Sequence, residues 1–130
     1  MHNELKENGY DVLILLHDDS GPLASFFKKN DIKYIELKTC LLAGESPNIA
    51  IIFFCMIWNF FSFLKFIKKH DIDLVHGNDL RINLSWSIAT KFSSARYIWH
   101  QRTILSKSLF WKSVQYLCDY FIASSQVVLN

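Results

Sequence analysis

Two histidines, each closing a short apolar run, carry the clearest chemistry in this sequence. Ile72-Asp-Leu-Val-His76 leads into Gly77-Asn78-Asp79, and Tyr97-Ile-Trp-His100 leads into Gln101-Arg102. An imidazole both donates and accepts hydrogen bonds near neutral pH, so it suits a hydroxyl-rich ligand. Arg102 offers a planar fork for a phosphate. Gly77 allows close backbone approach, and the N–H groups of a following helix add donors for an oxygen-rich ligand. The plainer reading of this turn is a capping Asn78 beside an incidental His76. Ser124 and Ser125 end a third apolar run, where a helix cap is as good a reading as a ligand contact. His17, Asp18 and Asp19 bring three metal-ligand types together. Adjacent side chains cannot all face one ion without a special turn, so a solvated loop is expected and no metal site.

Strands that deliver polar groups at their C-terminal ends must hold these residues, as in open α/β sheets. The chain alternates accordingly. Asp11–Leu16 is a continuous apolar run, the pattern of a strand buried on both faces. Ser20-Gly-Pro22 opens a helix over Leu23–Asn30, with the proline in its first turn. Lys33–Leu37 reads as a second strand. Ser46-Pro47 supplies a cap and a first-turn proline for a long apolar helix. Ile72–His76 is a strand, and Leu80–Phe92 is a helix capped by Asn78 or Asp79. Arg96–His100 is a strand, Ser108–Cys118 a helix and Tyr120–Ala123 a last strand. The expected class is α/β, a Rossmann-like parallel sheet with helices on both faces. Glu4–Gly9 reads as the last turns of a helix with Gly9 at the position after its cap. Such a helix normally follows a strand, and no residues precede it here to form one.

The 130 residues are 51% hydrophobic and 15% aromatic, enough for the core of one domain and unlike a disordered chain. A net charge of +2 without a long basic block argues against nucleic acid as a partner. Cys40, Cys55 and Cys118 are scattered, with no CxxC, so their spacing indicates neither a zinc site nor a redox pair and fits a reducing cytoplasm. No secretory signal opens the chain. Ile49–Leu64 contains no charge but falls short of the roughly 20 apolar residues of a spanning helix. Asn48, Asn59, Ser62 and Lys69 form a narrow polar stripe on its helical wheel. A helix buried against the sheet is expected, with contact to a membrane surface as the alternative and a true span as the third reading. Lys65, Lys68, Lys69, Lys107 and Lys112 lie close enough to assist binding to an anionic leaflet. Trp58, Trp86, Trp99 and Trp111, with the phenylalanines, are expected mostly in the core, lipid contact being the alternative for some on the Ile49–Phe66 helix or on Leu105–Lys112.

Five passages in register resemble the N-terminal, acceptor-side domain of family-4-type GT-B glycosyltransferases. Leu5-Lys-Glu-Asn-Gly-Tyr-Asp-Val12 is similar to that family's first helix leading into its second strand. Asp18-Asp-Ser-Gly-Pro-Leu23 with Asn30-Asp-Ile-Lys-Tyr34 resembles its "gly-pro-leu … gly-ile" passage. Ile67–His76 is similar to its "lys-pro-asp-ile-val-his" strand, Tyr97–Arg102 to its "trp-his-x-arg" strand end, and Cys118–Ser125 to its "ala-asp-x-ile-ile-ala-x-ser" strand. The family's first strand with its glycine-rich loop has no counterpart here. Neither has its C-terminal domain with a Glu-x7-Glu pair; no Glu in this chain has another eight positions on.

The resemblance implies residues 1–130 as a partial GT-B N-terminal domain, without the nucleotide-sugar domain. It implies a fragment of an enzyme moving a sugar from a nucleotide-sugar to a glycan or lipid-linked acceptor in envelope polysaccharide synthesis. By the same resemblance His100 lies near the transferred sugar as the catalytic candidate. His76, Gly77, Asn78, Arg102 and Ser125 are the acceptor-side or ligand candidates. No cofactor or metal is implied, the donor being a substrate held mainly by the other domain. The implied setting is the cytoplasm, peripheral at the inner membrane face. The chain alone is expected to be inactive. The alternative is a non-catalytic Rossmann-like interaction module. In the family the first strand lies centrally, so without it the strands at Val12 and Leu74 either pair directly or leave backbone groups unsatisfied, with marginal stability and self-association as consequences.

Overall fold

The computed structural model describes residues 2–40, 48–102 and 116–124. Within these, the chain forms two compact units, Met1–Thr39 and Cys40–Asn130, rather than the single domain expected from length. Each has its own parallel sheet.

The first unit holds α1 (His2–Glu7), β1 (Leu15–Leu16), α2 (Pro22–Lys29) and β2 (Ile35–Glu36). β1 and β2 run parallel with Leu15 opposite Ile35. Both strands are shorter than the apolar runs predict, and Leu13 is exposed. A two-stranded sheet gives each strand one neighbour, so little of the run is held in a ladder. The helix ends follow the local sequence closely. Gly9 has φ +82°, and the amides of Gly9 and Tyr10 donate to the carbonyls of Lys6 and Leu5. That is a Schellman ending, and a left-handed residue there favours glycine. Asp31 takes the same role after α2 at φ 50°, with Ile32 donating back to Phe27. Pro22 stands in the first turn of α2, as expected.

The second unit holds α3 (Ile49–Lys69), β3 (Leu74–Gly77), α4 (Leu80–Lys91), β4 (Arg96–Gln101) and β5 (Tyr120–Ala123). The strand order is β3-β4-β5, all parallel, with Val75 opposite Tyr97 and Trp99 opposite Phe121. Asn48 caps α3 by accepting from the amides of Ala50 and Ile51 at 3.1 and 3.3 Å. The cap assigned to Ser46-Pro47 lies outside the described residues, as does most of the helix expected over Ser108–Cys118. Asp71, at φ 49°, ends α3 as Asp31 ends α2, with Ile72 donating to Ile67.

α4 packs on the sheet with one side and on α3 with the other. That double burial explains why its inner positions are small and polar: Ser85, Ser87 and Thr90 let neighbours approach closely. Each hydroxyl donates to a carbonyl of its own helix, as Thr90 does to Trp86 at 2.8 Å. Trp86 stacks on Phe63 of α3 with ring centroids 4.2 Å apart and meets Phe66 edge-on. Trp99 and Tyr97 fill the space between α4 and the sheet.

Three expectations are corrected here. α3 is not buried against the sheet; it lies on α4 as a further layer. Within its polar stripe only Asn59 turns inward, while Asn48 and Lys69 are exposed. Asn59 is fully buried, and its side chain brackets the Cys40 backbone, accepting from N–H at 2.9 Å and donating to O at 3.5 Å. Cys40 and Cys55 form a disulfide with Cα atoms 5.1 Å apart, although their spacing indicated no pair. Asn59 lies one turn beyond Cys55 on the inner face of α3, so the hydrogen bonds that hold Cys40 bring the two sulfurs together. Finally Trp58, expected in the core, is exposed.

Candidate site at the C-terminal ends of β3 and β4

Alternation along the strands sorts the sheet into two faces. Val75, Gly77, Tyr97, Trp99 and Gln101 face α4. His76, Ile98 and His100 point to the other side, with exposed Leu74, Tyr120 and Ile122. His76 is opposite Ile98 in the ladder, which makes His100 its diagonal neighbour one step along β4. The two imidazoles are nearly parallel, with centroids 5.5 Å apart and planes 12° apart. Neither strand alone foretells this pairing; the register creates it.

Burial holds the His76 imidazole below its ordinary range, and the nearby His100 charge adds to the depression. A folded pKa below the unfolded one stabilises the fold fully above the unfolded value, about 6.5. That contribution is lost as pH falls below it. Replacing His100 by alanine removes the like charge and leaves the burial. The His76 resonances in an NMR titration are therefore expected to move part of the way back up toward the ordinary histidine range. No movement, or movement downward, would show that the two rings do not interact.

Behind the histidines lies a buried polar chain that the sequence reading missed. The Tyr97 hydroxyl donates to Asn83 Oδ1 at 2.8 Å, and Asn83 Nδ2 donates to the His100 carbonyl at 3.2 Å. Burial pushes the Tyr97 pKa far up, so the phenol keeps its proton and remains a donor. Trp99 Nε1 donates to buried Gln101 Oε1 at 2.8 Å. α4 thus fixes the backbone at His100 through Asn83. An asparagine and a tyrosine 14 positions apart give no local signal of this, because the link forms only when α4 lies on the sheet.

The other predicted residues are placed as follows. Gly77 is buried, and the space beside its Cα is occupied by Tyr97 Oη and Asn83 Oδ1. A packing demand from this chain's own side chains therefore accounts for the glycine. Asn78 is exposed and Asp79 is the cap of α4, accepting from the Arg81 amide at 2.9 Å. Arg102 is exposed just beyond β4, at the same strand end as His100. The Ser124 amide donates to the Gln101 carbonyl at 3.1 Å. Ser125 lies outside the described residues. His17, Asp18 and Asp19 turn to separate partners. His17 Nδ1 donates to the Leu37 carbonyl at 2.9 Å, Asp18 accepts from Ser20, and Asp19 pairs with Lys28 at 3.2 Å.

The arrangement offers two imidazoles and a guanidinium at adjacent ends of parallel strands, a setting that can hydrogen-bond hydroxyls and hold a phosphate. No family model matches the chain, and no curated protein matches it. Solved structures do. A glycosyltransferase from Rickettsia africae ESF-5 superposes with a TM-score of 0.67 over 95% of this chain and 31% of its own, at 23% identity. MurG of Acinetobacter baumannii superposes with a TM-score of 0.68 over 96% of this chain and 36% of its own, at 15% identity. The chain has the Rossmann-like α/β fold of these GT-B glycosyltransferases. It spans about a third of the length of either structure.

Proposed function

We propose that this chain is the acceptor-side portion of a glycosyltransferase that moves a sugar from a nucleotide-sugar to a glycan or lipid-linked acceptor. The observation that carries the reading is the His76–His100 pair, held with Arg102 at the strand ends of a fold shared with glycosyltransferases. In the reaction the bond from the sugar's anomeric carbon to the diphosphate breaks, and a bond to the acceptor oxygen forms. The acceptor hydroxyl loses its proton, and the nucleoside diphosphate leaves. His100 hydrogen-bonds the sugar or the acceptor hydroxyl, with Asn83 fixing its backbone, and Arg102 takes a phosphate of a lipid-linked acceptor. Most contacts to the leaving diphosphate belong to a second domain.

Envelope polysaccharide synthesis at the cytoplasmic membrane face is the setting that suits such substrates. In a reducing compartment Cys40 and Cys55 are expected as two thiols held side by side by the Asn59 hydrogen bonds. The test is nucleoside diphosphate release by a protein that joins this lobe to a nucleotide-sugar domain, with a polyprenyl-diphosphate-linked sugar as acceptor, whose free hydroxyl is the nucleophile. Release that needs the acceptor, and falls about 100-fold in His100→Ala, is expected for a group acting at the reacting hydroxyl. Acceptor-independent release, or full activity in the variant, would sink the assignment of His100.

A further inference from the structure

The second unit begins at Cys40, and that residue is joined to Cys55 of α3. The Cα atoms are 5.1 Å apart, within the span that a disulfide needs. What holds the two residues together is not only the bond between their sulfurs. Cys55 and Asn59 lie one turn apart on the inner face of α3, both buried. The Asn59 amide, 1% exposed, accepts from the Cys40 N–H at 2.9 Å and donates to the Cys40 carbonyl at 3.5 Å. These two bonds involve the Cys40 backbone and neither sulfur. Opening them would leave a buried amide unpaired, so they favour the same placement when the sulfurs carry hydrogens. The three cysteines also differ in reach. Cys40 is half-buried and Cys55 is 6% exposed. Cys118 keeps its thiol, and burial pushes that thiol up, leaving less of it as the reactive thiolate.

We propose that Cys40 and Cys55 form a reversible oxidation site, a dithiol that a peroxide converts to the disulfide, fastening the start of the second unit to α3. Cys40, the more exposed of the two, meets the oxidant. Its sulfur attacks one peroxide oxygen and the O–O bond breaks. The leaving oxygen takes the thiol proton and departs as water, and Cys40 becomes a sulfenic acid. The Cys55 sulfur then attacks the Cys40 sulfur. The S–O bond breaks, and the hydroxyl leaves with the Cys55 proton as a second water. Two thiols have lost two electrons and two protons, and the peroxide has become two waters. A dithiol reductant reverses the change by thiol–disulfide exchange. Asn59 is the positioning residue. It keeps Cys40 beside Cys55, so the second step is intramolecular and oriented. The bridge closes a loop with a sequence separation of 15. Closure of that length should raise the folded-to-unfolded ratio of the second unit by roughly 100-fold. α3 in turn supports α4 through Phe63 and Trp86. The inference stands apart from the proposed reaction, because thiol chemistry reports it whether or not sugar is transferred.

The experiment starts from the 130-residue chain, reduced with dithiothreitol without denaturant and then freed of the reductant. Hydrogen peroxide is added in equimolar amount, and samples are alkylated and mapped by peptide mass spectrometry. Cys40 and Cys55 are expected to escape alkylation together, as one cross-linked peptide, roughly 10-fold faster than Cys118 reacts. Dithiothreitol should restore both thiols in the folded chain. Asn59→Ala should slow the cross-link by roughly 10-fold, with sulfenic acid accumulating at Cys40 for capture by dimedone. Cys55→Ser should stop Cys40 at the sulfenic acid. Amides of α3 should exchange more slowly in the oxidised chain than in the reduced one. Three results would overturn the proposal. One is oxidation of Cys118 as fast as the pair. Another is a bridge that opens only in denaturant, which means a permanent structural bond. The third is identical α3 exchange in the two states, which means that the bridge fastens nothing. All three are read on the unaltered chain, so they decide the matter even where a variant fails to fold.

Discussion

Gly77→Ala is expected to destabilise the second unit by about 3 kcal/mol, read as a lower urea midpoint at unchanged slope. The reason is steric and polar together. A methyl group at this position would collide with the Tyr97 hydroxyl and with Asn83 Oδ1, which hydrogen-bond to each other over the glycine. Either the strand moves away from α4 or that bond opens, and an unpaired buried polar group costs about 1–3 kcal/mol. The second partner of Asn83 is the His100 carbonyl, so the disturbance reaches the candidate site as well. Adding Tyr97→Phe removes the nearest obstructing atom. The double variant should therefore be less damaged than the sum of the two single ones. Strict additivity, or a Gly77→Ala change within about 0.5 kcal/mol of zero, would show that packing does not explain this glycine.

Trp86→Ala should have an effect of similar or greater size, about 4 kcal/mol, and a different consequence. Trp86 is buried at the centre of the α3–α4 interface, stacked on Phe63 and meeting Phe66 at 87°. Truncation leaves a cavity on the surface that holds α3 in place. Denaturant unfolding should register the loss. Hydrogen exchange should register it selectively, with α3 amides losing more protection than those of β4. The contrasting control is Trp58→Ala. It removes an equally large ring from α3 itself, yet that ring is 72% exposed and the change should lie within about 0.5 kcal/mol of zero. A large loss at Trp58 and none at Trp86 would mean that α3 is turned the other way round.

That contrast also marks where sequence reading succeeds and where it stops. Helix ends were legible because their causes lie within a few residues. Gly9 was read as the residue that ends α1; Asp31-Ile32 and Asp71-Ile72, which end α2 and α3 by equally local hydrogen bonds, were not named. Pro22 and Asp79 begin helices by equally local means. The alternation of strand and helix was legible for the same reason, and with it the parallel α/β class. His76, His100 and Arg102 could be named as candidates because a strand end places polar groups predictably.

What the sequence left undecided depends on contacts between distant segments. The polar stripe of α3 was visible, but its direction was not. Asn59 turns inward because the Cys40 backbone, 19 residues away, supplies both of its hydrogen bonds. With Asn59 turned inward, Phe54, Trp58 and Phe61 face outward, and a helix expected against the sheet becomes a surface element. The stacking of His76 on His100 follows from the register of β3 on β4, and the Gly77–Tyr97–Asn83 packing from the seating of α4 on that pair. Side-chain pattern and backbone chemistry specify which elements form and where they end. The partner that each face meets is set by packing and hydrogen bonding across the chain, and these exist only once the elements are assembled.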